Sequence, residues 1–387
     1  MCVRFSTNSL VQVIKDTPKC TRPKCVHLEC VKSRVTVVGE VPDNARELYE
    51  QFKRDYGKVY ANDDDQKRFA IFKDNLVRAQ KLQLNDRGTA RYGVTRFSDL
   101  TPEEFAAKYL SRPDNNDQVE RVRPTGLKAA PERIDWREWG AVGPVENQGV
   151  CGSCWAFSVA GNVEGQWFLK TGQLVSLSKQ QLVDCDRAAD GCNGGWPASS
   201  YLEIMHMGGL ESQDEYPYVG VKEQCFMEKE KLLAKIDDSI VLGPSEDDHA
   251  AYLAEHGPLS TLLNANTLQY YQAGIIHPSY EECSPADLNH AVLTVGYDKE
   301  GDIPYWIIKN SWNVEWGEKV SYSCFILCSH QTFTLARVVY RATSDSTGEM
   351  EHVESIACLH PRSSINENHV DGSNVTLSFQ YAIKHFL

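Results

Sequence analysis

The chain has 387 residues, of which 42% are hydrophobic and 24% charged, and its net charge is −13. This balance is typical of a globular protein with two or three core-forming units. The acidic charge argues against nucleic acid as a main partner, because phosphates would be repelled. No stretch is long and apolar enough to cross a bilayer. We therefore predict neither nucleic-acid binding nor a membrane span.

The thirteen cysteines favour an oxidising compartment, and their odd number leaves at least one thiol unpaired if the others form disulfides. The N-terminus shows no secretory signal, because its longest apolar run, at residues 10–14, is too short. Residues 1–43 lack periodicity and are left as an unassigned lead segment. A zinc site there is an alternative, although the spacing of its candidate ligands is unusual. Those ligands are Cys20, Cys25, Cys30 and His27.

Two helices are predicted between residues 44 and 84. Leu48, Phe52 and Tyr56 are four residues apart and therefore share one face of the first helix. The second helix has apolar residues at helical spacing: Phe69, Phe72, Leu76 and Ala79.

A third helix is predicted from the sequence DLTPEEF. Thr101 is the expected N-cap, Pro102 the first helical residue, and Glu104 the partner that completes a capping box. The polar, proline-containing residues 111–131 are expected to form an exposed, cleavable linker.

The rest of the chain changes character along its length. Residues 132–240 look mainly helical, including a helix that follows Cys154 and ends at Gly172. Residues 256–318 contain β-rich runs bounded by Gly and Pro. The sequence therefore predicts an α+β protein with two subdomains and a cleft between them.

Cys151 and Cys154 lie in the sequence QGVCGSCWAF, and three interpretations compete. A thioredoxin-like pair requires a βαβ setting, which the neighbouring sequence lacks. A zinc site requires a second ligand pair, and Cys185 and Cys192 are seven residues apart without a zinc-finger pattern. The third interpretation is a nucleophilic cysteine at a helix N-terminus, where the helix dipole favours the thiolate.

A nucleophilic cysteine needs a base, a group that orients the base, and an oxyanion donor. The third interpretation assigns these roles to His290, Asn310 and Gln148. The Gln148 amide would act together with the backbone N–H of Cys154. Trp312 would shield the His290–Asn310 hydrogen bond from water. The bond is stronger when water is excluded, because the local dielectric constant is lower.

Five motifs occur in one order: QGVCGSCWAF, SKQQLVDC, GCNGGWP, LNHAVLTVGY and IIKNSWNVEWGE. On these motifs, residues 44 to 318 resemble the papain-like cysteine proteases. The resemblance implies a papain-like fold, with a helical left half and a β-rich right half. It also implies catalysis by Cys154, His290, Asn310 and Gln148.

The helices before the linker resemble the inhibitory prosegment of that family, and the residues at its motif positions make it similar to the cathepsin F type. Those residues are Asp64, Arg68, Phe72, Asn75, Ala79 and Gln83, followed by Gly93, Thr95, Phe97 and Asp99. The resemblance implies that residues 44–126 run backwards through the cleft and block it until cleavage near 129–131. We hypothesise that acid releases them by protonating carboxylates paired across the interface.

The resemblance also implies two disulfides and a set of substrate contacts. Cys151 would pair with Cys192, and Cys185 with Cys225. Gly194 and Gly195 would offer their backbone to an extended substrate. A hydrophobic pocket (S2) for the second residue before the scissile bond is implied at further positions, and Trp312 is also assigned to the substrate-binding surface. The pocket positions are Trp196, Pro197, Leu262, Leu288 and Ala291.

After Glu318 the sequence leaves the family pattern. We therefore set the peptidase domain at residues 127–318, incomplete at its C-terminal side, and treat residues 319–387 as a divergent tail. We hypothesise that residues 320–387 come from a translated intron or a mispredicted exon. The missing strands would leave an open sheet edge.

The predicted function is that of a cysteine endopeptidase made as a zymogen, with a hydrophobic S2 preference. The alternatives are a catalytically incompetent homologue and a prosegment-type protease inhibitor. Expected partners are protein or peptide substrates, the chain's own propeptide, and cystatin-type inhibitors. We predict no cofactor and no metal, and the family resemblance implies a lysosomal or secreted location.

Overall fold

The computed structural model describes residues 39–111, 121–284 and 286–318, and the backbone of residues 324–326 and 334–339. The alternative zinc site near the N-terminus and most of the divergent tail lie outside the described residues. Within the described part, no helix is both long and apolar enough to traverse a bilayer.

The predicted helices between residues 44 and 84 are confirmed, as are the capping box at Thr101 and the helix end at Gly172, whose φ is 75°. The α-helices are α1 (Ala45–Asp55), α2 (Asn62–Asn85), α3 (Pro102–Tyr109), α4 (Cys154–Thr171), α5 (Lys179–Cys185), α6 (Pro197–Met207) and α7 (Glu246–His256). Short 3-10 helices occupy Gly191–Asn193, Lys229–Lys231 and Asn266–Tyr270.

Helices α1 and α2 pack through aromatic side chains. Phe52 and Phe72 lie at their centre, with ring centroids 5.2 Å apart. Tyr49 is fully buried between the helices, whereas Leu48 and Tyr56 of the predicted stripe lie at the edge of the cluster. The buried face of α1 is therefore shifted by one residue, because α2 covers it from the side of Tyr49.

The main sheet contains eight strands among the described residues: β2 (Ile134–Asp135), β3 (Asp238–Val241), β4 (Leu259–Leu263), β6 (Ile275–Ile276), β7 (His290–Glu300), β8 (Ile303–Lys309), β9 (Cys324–Ile326) and β10 (Thr334–Val339). Their order is β3-β10-β4-β7-β8-β9-β6, and β2 pairs with β7. A second, two-stranded sheet joins β1 (Arg91–Tyr92) of the prosegment to β5 (Tyr271–Ala273).

The α+β architecture predicted from the sequence is confirmed. Helix α4 is buried along most of its length and packs on β7. One hydrophobic cluster lies mainly around α4, α5 and α6, and a second lies around β4, β7 and β8. The first residue of α4 and the first residues of β7 therefore meet where the two halves join.

Two segments differ from the sequence-based expectations. In the sheet, β9 pairs with β8, and β10 lies between β3 and β4, so tail backbone occupies positions expected to be missing. In the linker, Val122 forms a bridge with Leu242 and is partly buried. Extended backbone at both places satisfies N–H and C=O groups that would otherwise stay unpaired. The domain boundary at residue 318 stays a prediction.

Candidate active site

Cys154 is the first residue of α4, and its thiol is buried. Gly152 precedes it, and a Cβ at that position would lie 2.6 Å from the carbonyl oxygen of Cys192. Only glycine allows the two backbone segments to approach so closely. The Cys151–Cys192 disulfide joins the same two segments. The backbone N–H of Ala291 donates to the Cys154 sulfur at 3.4 Å. The thiol therefore contacts the strand that begins with His290.

His290 and Asn310 are brought together by the antiparallel pairing of β7 and β8. Asn310 Oδ1 lies 2.8 Å from His290 Nε2 and also accepts the N–H of Ser311 at 2.7 Å. The bond from the Ser311 N–H identifies this atom as the amide oxygen of Asn310, which has no hydrogen to donate. His290 Nε2 is therefore the donor and carries the hydrogen. His290 Nδ1 is buried and has no hydrogen-bond partner. Its lone pair is therefore available to take a proton.

Trp312 covers the imidazole. Its ring stacks on that of His290 with centroids 4.6 Å apart. From the prosegment, Phe97 and Phe105 pack edge-on against the same indole, at 5.3 and 5.4 Å. The His290–Asn310 hydrogen bond is therefore enclosed in an aromatic setting, as the sequence predicts for Trp312.

Gln148 is held in place by Ser311, the residue after Asn310. The Ser311 hydroxyl donates to Gln148 Oε1 at 2.6 Å, and the Gln148 N–H donates to the Ser311 carbonyl at 2.8 Å. This leaves Gln148 Nε2 directed at two carbonyl oxygens, those of Cys151 at 2.8 Å and Tyr109 at 3.0 Å. One of the two belongs to the prosegment.

The prosegment passes directly over the thiol. The N–H of Ser111 donates to the Asn289 carbonyl at 2.8 Å, and the N–H of Gly195 donates to Ser111 Oγ at 3.2 Å. Cys154 and His290 are both 0% exposed in consequence. No substrate can reach them while residues 109–111 stay in this position.

Burial sets the protonation of the site. It raises the pKa of the Cys154 thiol to about 11, although hydrogen bonds from the amides of Ala291 and Trp155 and from Ser111 lower it. Burial lowers the pKa of His290 to about 4, against the hydrogen bond with Asn310, which raises it. Both groups are therefore neutral at pH 7. The thiolate expected from the helix dipole is absent because the covered site is desolvated.

The positions implied for the hydrophobic S2 pocket lie close together. Trp196, Leu262 and Ala291 are buried in one cluster with Cys154, and Leu288 packs against it. Pro197, the first residue of α6, is buried as well. Gly194 and Gly195 line a cleft of about 850 Å³ that opens beside Leu110. That these residues bind substrate stays a prediction.

Two disulfides join the pairs that the family resemblance implied, Cys151–Cys192 and Cys185–Cys225. They exclude both the thioredoxin-like pair and the zinc site, because the Cys151 sulfur is already bonded to Cys192. Among the described cysteines, Cys154 and Cys283 are reduced, and both are buried.

The prosegment's carboxylates are bonded mainly within the prosegment. Glu104 pairs with Arg68 at 2.6 Å, and Asp99 with Lys58 at 2.9 Å. Across the interface, Asp86 Oδ2 accepts the backbone N–H of His277 at 2.9 Å. An ion pair also crosses the interface, between Arg123 and Asp248 at 3.0 Å. The hypothesis that acid releases the prosegment by protonating such carboxylates stays a prediction, and the ion pairs of Glu104 and Asp99 stabilise the internal fold of the prosegment.

Three contributors to the site were missed from the sequence. Ser311 directly follows Asn310 in the motif and could have been proposed from that adjacency. Tyr109 and Ser111 belong to none of the motifs recognised in the sequence. Tyr109 ends α3 and Ser111 lies two residues beyond it, so the position of α3 decides where they lie.

A thiol and an imidazole–amide pair meet between a helical and a β-rich half, with an N-terminal segment over them. These features define a papain-like fold closed by a prosegment. The model of the "papain family cysteine protease" matches residues 130–336, and that of the "cathepsin propeptide inhibitor domain (I29)" matches residues 49–105. The chain belongs to the papain family of cysteine proteases and carries a cathepsin propeptide inhibitor domain.

Individual relatives agree with this assignment. Cathepsin F of Mus musculus is 47% identical over 278 residues, 71% of this chain and 60% of the relative. Cysteine proteinase 15A of Pisum sativum is 41% identical over 301 residues, 72% of this chain and 82% of the relative. The solved structure of digestive procathepsin L 3 of Tenebrio molitor matches with a TM-score of 0.67 and 30% identity, covering 77% of this chain and 99% of that one.

The matched region thus spans 60% of the length of mouse cathepsin F. The family match at the C-terminal side extends past residue 318, to residue 336.

Proposed function

We propose that the chain is the zymogen of a cysteine endopeptidase in which Cys154, His290 and Asn310 carry the chemistry. The observation that carries the proposal is the unpaired, buried Nδ1 of His290, whose other nitrogen is fixed by Asn310. The imidazole is thus held in one tautomer, and the Ala291 amide contacts the Cys154 sulfur from the neighbouring position.

Once the cleft is open, water re-enters and the penalty for charging the thiol and the imidazole falls. The Cys154 proton passes to His290, and the thiolate attacks the carbonyl carbon of a peptide. The Gln148 amide and the Cys154 N–H hold the oxyanion. His290 then protonates the leaving amine, and water hydrolyses the thioester that remains.

The substrate class we propose is protein or peptide with an apolar residue at the second position before the scissile bond. The apolar surroundings of Leu262, Leu288 and Ala291 support it. The inhibitory role of the prosegment is supported by residues 109–111. The Tyr109 carbonyl accepts a hydrogen bond from the Gln148 amide, and Ser111 covers the thiol.

The test is covalent labelling by an epoxide inhibitor of cysteine proteases, before and after acid processing of the full chain. We expect slow labelling of the intact chain and fast labelling at Cys154 after processing, with none in Cys154→Ala. Absence of labelling in a processed chain with a folded circular-dichroism spectrum contradicts the proposal and favours an incompetent homologue. Suppression of a separate papain-like protease by the unprocessed chain favours the inhibitor instead.

We also propose a lysosomal or secreted location, which the two disulfides support because such bonds persist in oxidising compartments. Immunofluorescence of the tagged chain against a lysosomal marker, with assay of the medium, tests it. Binding of cystatin-type inhibitors to this chain stays a prediction.

A further inference from the structure

A largely buried cluster of four ionisable side chains lies behind the site, and the proposed reaction makes no direct use of it. Lys179, the first residue of α5, is 0% exposed. Its ammonium lies 2.7 Å from Glu146 and 2.8 Å from Glu164. Lys309, also buried, lies near both carboxylates, and burial lowers the pKa of its ammonium. Such a cluster persists in an interior only when every charge is compensated.

The cluster joins the elements that carry the reacting groups. Glu164 belongs to α4, which begins at Cys154, and Lys309 directly precedes Asn310. Glu146 lies two residues before Gln148, and its carbonyl accepts the N–H of Asn313 at 3.0 Å. A cavity of about 10 Å³ is lined by Glu146, Lys309, Asn310 and Ser311 together, so the charged cluster reaches the back of the imidazole-orienting amide.

Lys179 is the central member. Burial lowers its pKa, but its two carboxylate neighbours outweigh this and raise the pKa overall, so the ammonium stays charged. Glu164 has a second bond, from the N–H of Leu177 at 2.9 Å. Glu146, by contrast, stands on a connecting segment, and its carboxylate is tied to the helical half by Lys179.

We infer that Lys179 is a positioning residue, which acts through Glu146 to hold the segment carrying the Gln148 amide in register with the thiol on α4. This inference rests on the proposed function. A displacement of an oxyanion donor by a fraction of an ångström affects the transition state more than substrate binding. Loss of the tie should therefore lower kcat and leave KM nearly unchanged.

The sharpest variant is Glu146→Gln, because it removes the negative charge and weakens the tie to a bond with a neutral acceptor, while Lys179 keeps its bond to Glu164. After acid processing of the full chain, with kcat expressed per epoxide-labelled site, we expect a fall of about tenfold and a KM within about twofold. Counting labelled sites removes any contribution from misfolded protein. Glu228→Gln is the matched control, since Glu228 also pairs with a lysine, Lys231 at 2.6 Å, but at the surface. It should leave kcat unchanged.

Glu146→Asp keeps the negative charge, leaves the bond between Lys179 and Glu164 in place and can re-form the ion pair with Lys179. Recovery of most of the lost kcat supports positioning by the ion pair. Wild-type kcat per labelled site in Glu146→Gln overturns the inference, as does a change confined to KM. The proposed function has a separate readout, because it fails only if the wild-type chain itself is not labelled at Cys154.

Discussion

The side-chain amide of Gln148 donates to the main-chain carbonyl of Tyr109 at 3.0 Å. We propose that this amide stabilises the oxyanion that forms when the thiolate attacks a peptide carbonyl. In the intact chain the same amide is therefore bonded to a carbonyl of the prosegment. Since Ser311 orients the same amide from behind, its direction does not depend on the prosegment. Removal of residues 109–111 should leave the donor ready to bind a developing negative charge.

Replacing Gln148 by alanine should lower kcat of the activated chain by about 100- to 1000-fold, because an oxyanion donor acts in the transition state. KM should change little. Steady-state hydrolysis per labelled site measures both. Gln173→Ala, at an exposed position, is the control. An unchanged kcat in Gln148→Ala would remove this residue from the proposed site.

Ser111→Ala should increase the accessibility of the Cys154 thiol in the unprocessed chain. The change removes the acceptor for the Gly195 N–H and the hydroxyl beside the thiol. One hydrogen bond contributes about 1 kcal/mol, so the open state should be populated about fivefold more. The rate of epoxide labelling at neutral pH measures this opening. Ser212→Ala, at a turn outside the cleft, should not change the rate; equal rates for both variants would contradict the contact.

Acid should weaken the prosegment through Glu104. The hydrogen bond from Arg68 holds the pKa of this carboxyl below its usual 4.5. Because the folded-state pKa is depressed, the stabilisation is present above pH 4.5 and is lost as the pH falls through the lower, folded-state value. Glu104→Gln should therefore speed processing at pH 6, and its difference from wild type should shrink towards pH 3.

The rate of prosegment loss across pH 3 to 7, followed by gel electrophoresis, measures this dependence. Glu47→Gln, in the first turn of α1, is the control. A Glu104→Gln chain that processes like wild type at pH 6 would show that this ion pair does not restrain release.

Leu288→Glu should change the substrate preference. Leu288 packs against the apolar cluster around Cys154 and is only partly buried, so a carboxylate there can face an incoming side chain. We expect kcat/KM for a substrate with leucine at the second position to fall at least tenfold relative to one with arginine. Peptide substrates that differ only at this position measure the ratio. An unchanged ratio would place the specificity pocket elsewhere.

Removing the Cys185–Cys225 disulfide should destabilise the helical half. The bond closes a loop with a sequence separation of 40 residues, and such a cross-link contributes about 2–5 kcal/mol. Unfolding of Cys185→Ala/Cys225→Ala in guanidinium chloride should show a loss in this range, with the Cys154 labelling rate of the remaining folded protein unchanged. A loss below about 1 kcal/mol would contradict the expected constraint.

Much of the site could be predicted from local sequence. The helix that begins at Cys154 and ends at Gly172 has a periodic apolar pattern and a glycine with positive φ. The pairing of His290 with Asn310 followed from the order of five motifs. Each motif lies within about a dozen neighbouring residues, and their order along the chain is also a linear pattern, so the sequence is sufficient to locate these groups.

Other features were decided only by the tertiary structure. The protonation of Cys154 depends on Ser111 and its neighbours, which cover the thiol although they lie more than forty residues away in sequence. The role of Lys179 depends on two carboxylates from different elements. Burial and ion pairing are properties of the assembled interior, where a group's charge is set by what surrounds it in space and not by its neighbours along the chain.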